Sequence, residues 1–458
     1  MSRPPVRATY SFPPGFRWGT ATASHQVEGG NTNNDWWAWE QQPSRIALGQ
    51  SSGLACDWWG GRWKEDFDRA ASGAQNAHRL SLEWSRIEPT PATWDESALG
   101  FYRELLRGAR ERGLVPMVTL NHFTLPIWLA ERGGWTNEAI VGHFERFVRK
   151  AVAGLQDLVD TWVTINEPNL VAFLAHLTGV FPPGQHSLTA TFNAIRNIVL
   201  AHAAAYHAIH EIQPQAQVGL AHHYRGLRPA NPRSPLDRWI AHFREQIFND
   251  AVAIAAHVGS LRLPGATQRV PKAARTQDFI GLNYYSTEQF GFNLLHPARA
   301  LAVGTYPPGS DLSPSGFIAN VPEGFWHALR WANGFGIPII VTENGIEDPD
   351  DSIRPRYLAT HIRVLWRAVN INWPVLGYYH WSLVDNFEWE RGWTQRFGLW
   401  ELDAVTQERR ERPSARFYAE ICRANGLSSD MVEHYAPEVL ADLFPPAGEP
   451  ELTRLVKR

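Results

Sequence analysis

Short apolar, β-branched runs alternate along the chain with stretches whose apolar residues recur every three to four positions. The short runs fall at residues 16–24 (FRWGTATAS), 77–85 (AHRLSLEWS), 116–123 (PMVTLNHF), 161–167 (TWVTINE), 217–224 (QVGLAHHY), 278–285 (DFIGLNYY), 338–344 (PIIVTEN) and 375–382 (VLGYYHWS). Their length and residue types predict buried strands. Between them, residues 96–113, 138–155, 188–212 and 355–370 carry helical periodicity. Strand–helix alternation predicts parallel βα units. Eight such units predict an α/β fold closed as a single (β/α)8 TIM barrel rather than an open sheet. No repeat at a fixed short period is present, which excludes a solenoid. No linker rich in Pro, Gly or Ser divides the chain. The barrel is expected over residues 1–425. A C-terminal tail over 426–458, broken by PPAGEP at 445–450, is expected to pack on it or fray.

Composition removes several functions. With 44% apolar residues the 458-residue chain can build a sizeable core. A formal charge of -3 offers no large basic field to nucleic acid or a membrane surface. The start, MSRPPVRATYSFPPGF, has no apolar signal core, and no apolar run of about 18 residues follows. A cytoplasmic protein is expected, with an oligomeric state that cannot be read. Cys56 and Cys422 sit far apart; a bridge between them is open, but neither a disulfide framework nor a metal-ligand spacing exists. The histidines lack ligand spacing with an acidic partner, so no metal is expected, nor an organic cofactor. The 21 Trp stand out. Indole faces stack on sugar rings, and a Trp-rich core accounts for the number equally well.

Candidate chemistry begins at TWVTINEPNL, residues 161–170. Pro168 cannot donate to a sheet ladder, so the strand stops and leaves Asn166 and Glu167 at its carboxyl end. Taken alone, a turn with a solvated Glu explains this stretch as well as a catalytic site does. A second strand, PIIVTENG, ends alike in Glu343-Asn344-Gly345, where Gly345 is expected to permit a tight turn. Barrel strands put their carboxyl ends on one rim. Two carboxylates there are what glycoside hydrolysis with retention requires, at a separation of about 5 Å.

TINEP and VTENG resemble the acid/base and nucleophile motifs of glycoside hydrolase family 1, the β-glucosidase and β-galactosidase family. The resemblance spans residues 12 to 420 and includes SHQVEGG (24–30), WSRIEP (84–89), NHFTLPIWL (121–129), GLNYYS (281–286), HWSLVDNFEWERG (380–392) and RFGLW (396–400). NDWWAWE and LEWSRIEP are closest to the archaeal-type branch. The resemblance implies that Glu167 is the acid/base, with a raised pKa, and that Glu343 is the nucleophile and stays ionised. It implies that Arg79 and Tyr285 hold Glu343, and that Asn166 donates to the sugar 2-hydroxyl. Asn283 shares the strand face of Tyr285. Gln26, His122, Glu388 and Trp389 would read the sugar, with Trp381 as its stacking wall. Core packing alone would explain His122 or either Trp. His78, Glu83, His222 and His223 lie near strand ends without an assigned role.

Two positions depart from the family pattern. Asn169 and Ile318 stand where many members carry Trp beside the leaving group. The implied enzyme is a retaining β-glycosidase that releases non-reducing β-D-glucose, and also β-D-galactose or β-D-fucose, from small glycosides or oligosaccharides. The alternatives are a 6-phospho-β-glycosidase, a transglycosylase and a non-catalytic sugar-binding barrel. The last has no need of both glutamates.

Overall fold

The computed structural model describes residues 6–294 and 302–445. Eight parallel strands close into a barrel: β1 (Arg17–Ala21), β2 (Ala77–Ser81), β3 (Val115–Asn121), β4 (Thr161–Asn166), β5 (Gln217–His223), β6 (Phe279–Tyr284), β7 (Ile339–Asn344) and β8 (Val375–His380). Each pairs with its sequence neighbours, and β8 closes on β1 through Gly377 and Arg17. All eight runs predicted as strands are barrel strands.

The crossovers carry helices α1 (Trp63–Ser72), α2 (Glu96–Glu111), α3 (Ile140–Leu155), α4 (Leu188–Ile212), α5 (Ala251–Val258), α6 (Pro322–Asn333) and α7 (Arg354–Asn370), and α8 (Pro413–Ala424) follows β8. Helix α2 starts at Asp95, whose carboxylate accepts from the Ser97 and Ala98 amides at 2.8 and 3.1 Å. That cap satisfies two amides left open at a helix start, and an Asp95→Ala change would cost about 1 kcal/mol. Ala98, Tyr102, Leu105 and Ala109 of α2 are buried at three- and four-residue spacing, a stripe that packs on the sheet. The helix ends at Arg112, before Gly113 turns the chain at a φ of 75°.

From residue 426 the chain adds a short strand, Gly426–Ser428, antiparallel to Thr9–Ser11. Phe444 stacks on Tyr10 with ring centres 4.6 Å apart. The PPAGEP segment, beyond Pro445, lies outside the described residues. Cys56 and Cys422 are buried free thiols. Among the described residues, no helix is long and apolar enough to cross a membrane.

Three irregularities bear on function. The ladder between β4 and β5 shifts register between Val163 and Asn166, that between β6 and β7 shifts at Leu282/Asn283, and that between β7 and β8 shifts before Asn344. Such bulges re-aim side chains at strand ends. All three lie at the carboxyl ends, where polar residues replace the apolar barrel filling.

Candidate active site

A cavity of about 310 Å³ opens at the carboxyl ends of the strands. Its wall includes His122, Asn166, Glu167, Tyr285, Glu343, Trp381, Glu388 and Trp389. Both carboxylates singled out from the sequence therefore face one space. Glu167 follows β4 in the left-handed region, φ 45° and ψ 55°, and caps the short helix Pro168–His176, with Pro168 in its first turn. A side chain other than Gly held there stores strain, which is typical of functional positions. Gly345, behind Glu343, has no positive φ. The expected tight turn is replaced by close packing: a Cβ on Gly345 would lie 2.1 Å from the Trp381 carbonyl oxygen.

A hydrogen-bonded network joins the two carboxylates across the barrel mouth. The Arg79 guanidinium, fully buried on β2, donates from Nη1 to Glu343 Oε1 and from Nη2 to Asn166 Oδ1 at 2.7 Å. Asn283 Nδ2 donates to Asn166 Oδ1 at 3.1 Å and to Glu167 Oε1 at 2.9 Å, while its Oδ1 accepts from Thr342 at 2.6 Å. Tyr285 OH donates to Glu343 Oε2 at 2.7 Å. Each donor fixes the orientation of its acceptor. With Oδ1 of Asn166 committed as an acceptor, its Nδ2 donates to His122 Nε2 at 3.0 Å. Burial and Arg79 push His122 well below the usual imidazole range. His122 is thus neutral with its proton on Nδ1, and that nitrogen is buried without a partner among the described residues. An unpaired buried donor is costly and suits a polar ligand.

The remaining predicted residues divide into two groups. Trp381 donates its indole N–H to Glu388 Oε1 at 2.9 Å. Trp381 and Trp389 both face His122 with nearly parallel rings, at 5.9 and 6.0 Å. Arg79, Asn283 and Gln26 stand behind the cavity wall rather than in it. Gln26 Nε2 donates to the Phe387 carbonyl at 2.8 Å, beneath the loop carrying Glu388, and its Oε1 is buried without a partner among the described residues. Burial, opposed by the Trp381 hydrogen bond, pushes Glu388 up to about 8. In the free site this carboxyl is neutral at pH 7.

The two carboxyls are shifted in directions opposite to those the resemblance implies. Burial, opposed by Arg79 and reinforced by the charge on Glu167, pushes Glu343 up to about 7. Burial also acts to raise Glu167, but His223, Asn283 and Arg79 outweigh it and hold Glu167 below the ordinary carboxylate range. The reason is His223, left without a role in the sequence, whose Nδ1 lies 2.8 Å from Glu167 Oε1. Arg79 keeps its charge and still favours ionised Glu343. The shift on Glu343 includes repulsion from charged Glu167; with the proton on Glu167 that repulsion is absent, and Arg79 and Tyr285 favour ionised Glu343.

His223 had a visible signal, a polar residue ending the strand beside β4. His78 bonds Thr20 and Thr22, His222 bonds Gln277, and Glu83 accepts from Ser24, Ser85 and Thr124. These three are internal supports. Asn169 turns inward and donates to the His223 and Phe248 carbonyls, both at 2.8 Å. Ile318 lines the cavity with Leu170, Leu174, Phe181 and Phe317, an apolar stretch of wall.

The family model described as glycosyl hydrolase family 1 matches residues 8–427. Beta-glucosidase A of Thermotoga maritima is 32% identical over 445 residues, covering 91% of this chain and 98% of the relative. A beta-galactosidase of Saccharolobus solfataricus is 33% identical, covering 93% and 97%. A solved beta-glycosidase from Pyrococcus horikoshii superposes with a TM-score of 0.87 at 34% identity, over 93% of this chain and 98% of the other. Bacterial and archaeal relatives stand at nearly equal identity.

Proposed function

The chain belongs to glycosyl hydrolase family 1, and from that premise we propose that Glu343 and Glu167 carry out a two-step β-glycoside hydrolysis with retention, releasing non-reducing β-D-glucose and also β-D-galactose or β-D-fucose. The observation that carries this reading is the bridged pair: two carboxylates on one cavity, joined through Arg79, Asn166 and Asn283.

In the first step a Glu343 oxygen bonds to the anomeric carbon as the bond to the leaving oxygen breaks. Glu167 supplies the proton that the leaving oxygen takes up. Tyr285 and Arg79 keep Glu343 aimed. In the second step Glu167, now a carboxylate, takes a proton from water. The water oxygen displaces Glu343 from carbon, so two inversions give net retention. Asn166 and the Nδ1 proton of His122 would meet sugar hydroxyls, a role supported by the unpartnered His122 Nδ1. Glu388 can accept from the 4- and 6-hydroxyls of a sugar whether O4 is equatorial or axial, which supports both glucosides and galactosides as substrates.

A 6-phosphorylated sugar is the weaker reading. Arg225 and Arg391 line the cavity, but each is paired with a carboxylate, Glu288 at 2.7 Å and Glu390 at 3.2 Å, which offsets the charge a phosphate would need. The test is a panel of aryl β-glycosides with the first-formed sugar followed by NMR. The β-anomer appearing first supports the reading, and an α-anomer appearing first overturns it.

A further inference from the structure

We propose that His223 is a positioning residue for the acid/base: its ring nitrogen occupies Oε1 of Glu167 and so reserves Oε2 for the proton delivered to the leaving oxygen. This rests on the assignment of Glu167 above.

Both hydrogen bonds that Glu167 accepts end on Oε1, from His223 Nδ1 at 2.8 Å and Asn283 Nδ2 at 2.9 Å. Among the described residues none ends on Oε2. A carboxyl with two donors on one oxygen carries its own proton on the other. His223 is itself fixed from three sides. Its ring stacks on Tyr285 at 5.9 Å and 27°, and meets Phe248 edge-on at 5.8 Å and 85°. Its carbonyl is gripped by Asn169. The residue standing where many family members carry an indole thus anchors the partner of the acid.

The steps balance with His223 as a spectator. The Oε2 proton passes to the glycosidic oxygen, the bond from that oxygen to carbon breaks with its electron pair, and the bond from Glu343 to carbon forms. The negative charge appearing on Glu167 is met by the His223 and Asn283 donors already in place. In the second step Oε2 takes a proton from water, and the bond to Glu343 breaks as the water oxygen bonds to carbon. The charged groups around His223 are Glu167 just after β4, Glu343 on β7, Arg79 on β2 and the Arg225–Glu288 pair, 2.7 Å apart, at the cavity wall. A donor to the ionised carboxyl favours that form, so its removal raises the pKa of the acid.

The experiment compares His223→Phe, which keeps a ring against Tyr285 but has no donor, with His223→Asn, which keeps an N–H, and with Glu167→Ala. The readout is kcat/KM against pH for aryl β-glucosides with good and poor leaving groups. His223→Phe should lose about tenfold or more on the poor leaving group and stay within about twofold on 2,4-dinitrophenyl glucoside. Its alkaline limb should move upward by about one pH unit. His223→Asn should recover most of both effects. An unmoved limb, or equal loss on both leaving groups, overturns the proposal. If His223→Phe does not fold, His223→Ala is read by the same criteria. Glu167→Ala separates the two levels: if it slows both leaving groups equally, the acid assignment fails, whereas leaving-group dependence there with inert His223 variants overturns only this inference.

Discussion

Binding of a neutral glucoside should release a proton from Glu388. The free carboxyl is pushed to about 8 by burial, with the Trp381 indole as its one hydrogen-bond donor among the described residues and Glu343 nearby. At pH 6 it is neutral. Sugar hydroxyls donating to it favour the ionised form, and by linkage the affinity must then rise with pH until the free group has titrated. The upper limit is set by a bound-state value returned to the ordinary ~4.3 of a glutamate. Two pH units from 6 to 8 would give a hundredfold gain, reduced by two at the midpoint, hence about fiftyfold or roughly 2.3 kcal/mol. Titration calorimetry with methyl 1-thio-β-D-glucoside, a neutral ligand that resists hydrolysis, reads this directly at pH 6, 7 and 8. The wild type should bind progressively tighter, with heats that depend on buffer ionisation. Glu388→Gln should lose most of the slope. An affinity constant from pH 6 to 8, or a slope fully kept in Glu388→Gln, would refute the reasoning.

Glu343→Gly leaves the buried Arg79 charge without its carboxylate, so it should still fold but melt at a lower temperature, and it should lose many powers of ten in turnover, with azide restoring part of it as an α-glycosyl azide; near-normal turnover would remove Glu343 from its role. An aryl β-glucoside should be hydrolysed while its 6-phosphate is refused, and Glu388→Ser should narrow the kcat/KM ratio between them. The apolar wall around Phe181, Phe317 and Ile318 should favour aryl over sugar leaving groups, read as a higher kcat/KM for 4-nitrophenyl glucoside than for cellobiose.

Much of this site could be read from the chain because its carboxylates end strands. Once the alternation of runs gives a barrel, Glu167 and Glu343 must share a rim, and Arg79, inside an apolar run, must point at something charged. What the sequence does not carry is register. The shifts at Asn166, Asn283 and Asn344 decide which neighbours meet, and no period in the residues signals them. No residue pattern therefore marks His223, although it contacts Glu167 directly. The directions of the two pKa shifts depend on which donor reaches which carboxylate, His223 and Asn283 at Glu167 and Arg79 and Tyr285 at Glu343. A strand-end Gly such as Gly345 suggests a turn. The cause of this Gly is a backbone arriving from β8, a long-range contact. In the sequence Asn169 shows only as a departure from Trp, and its inward hydrogen bonds depend on a short helix whose placement follows from the bend at Glu167.

The bridge through Arg79 also bears on how the barrel assembles. It takes its members from β2, β4, β6 and β7, so it is drawn tight only when the strands from β2 to β7 have met. An assembly intermediate holding only the first half would carry the Arg79 charge inside with Asn166 but without Glu343, and an unpaired interior charge is among the most costly defects a chain can hold. The polar centre thus penalises the incomplete ring and favours all-or-none closure, making the apparatus for chemistry also a checkpoint for folding.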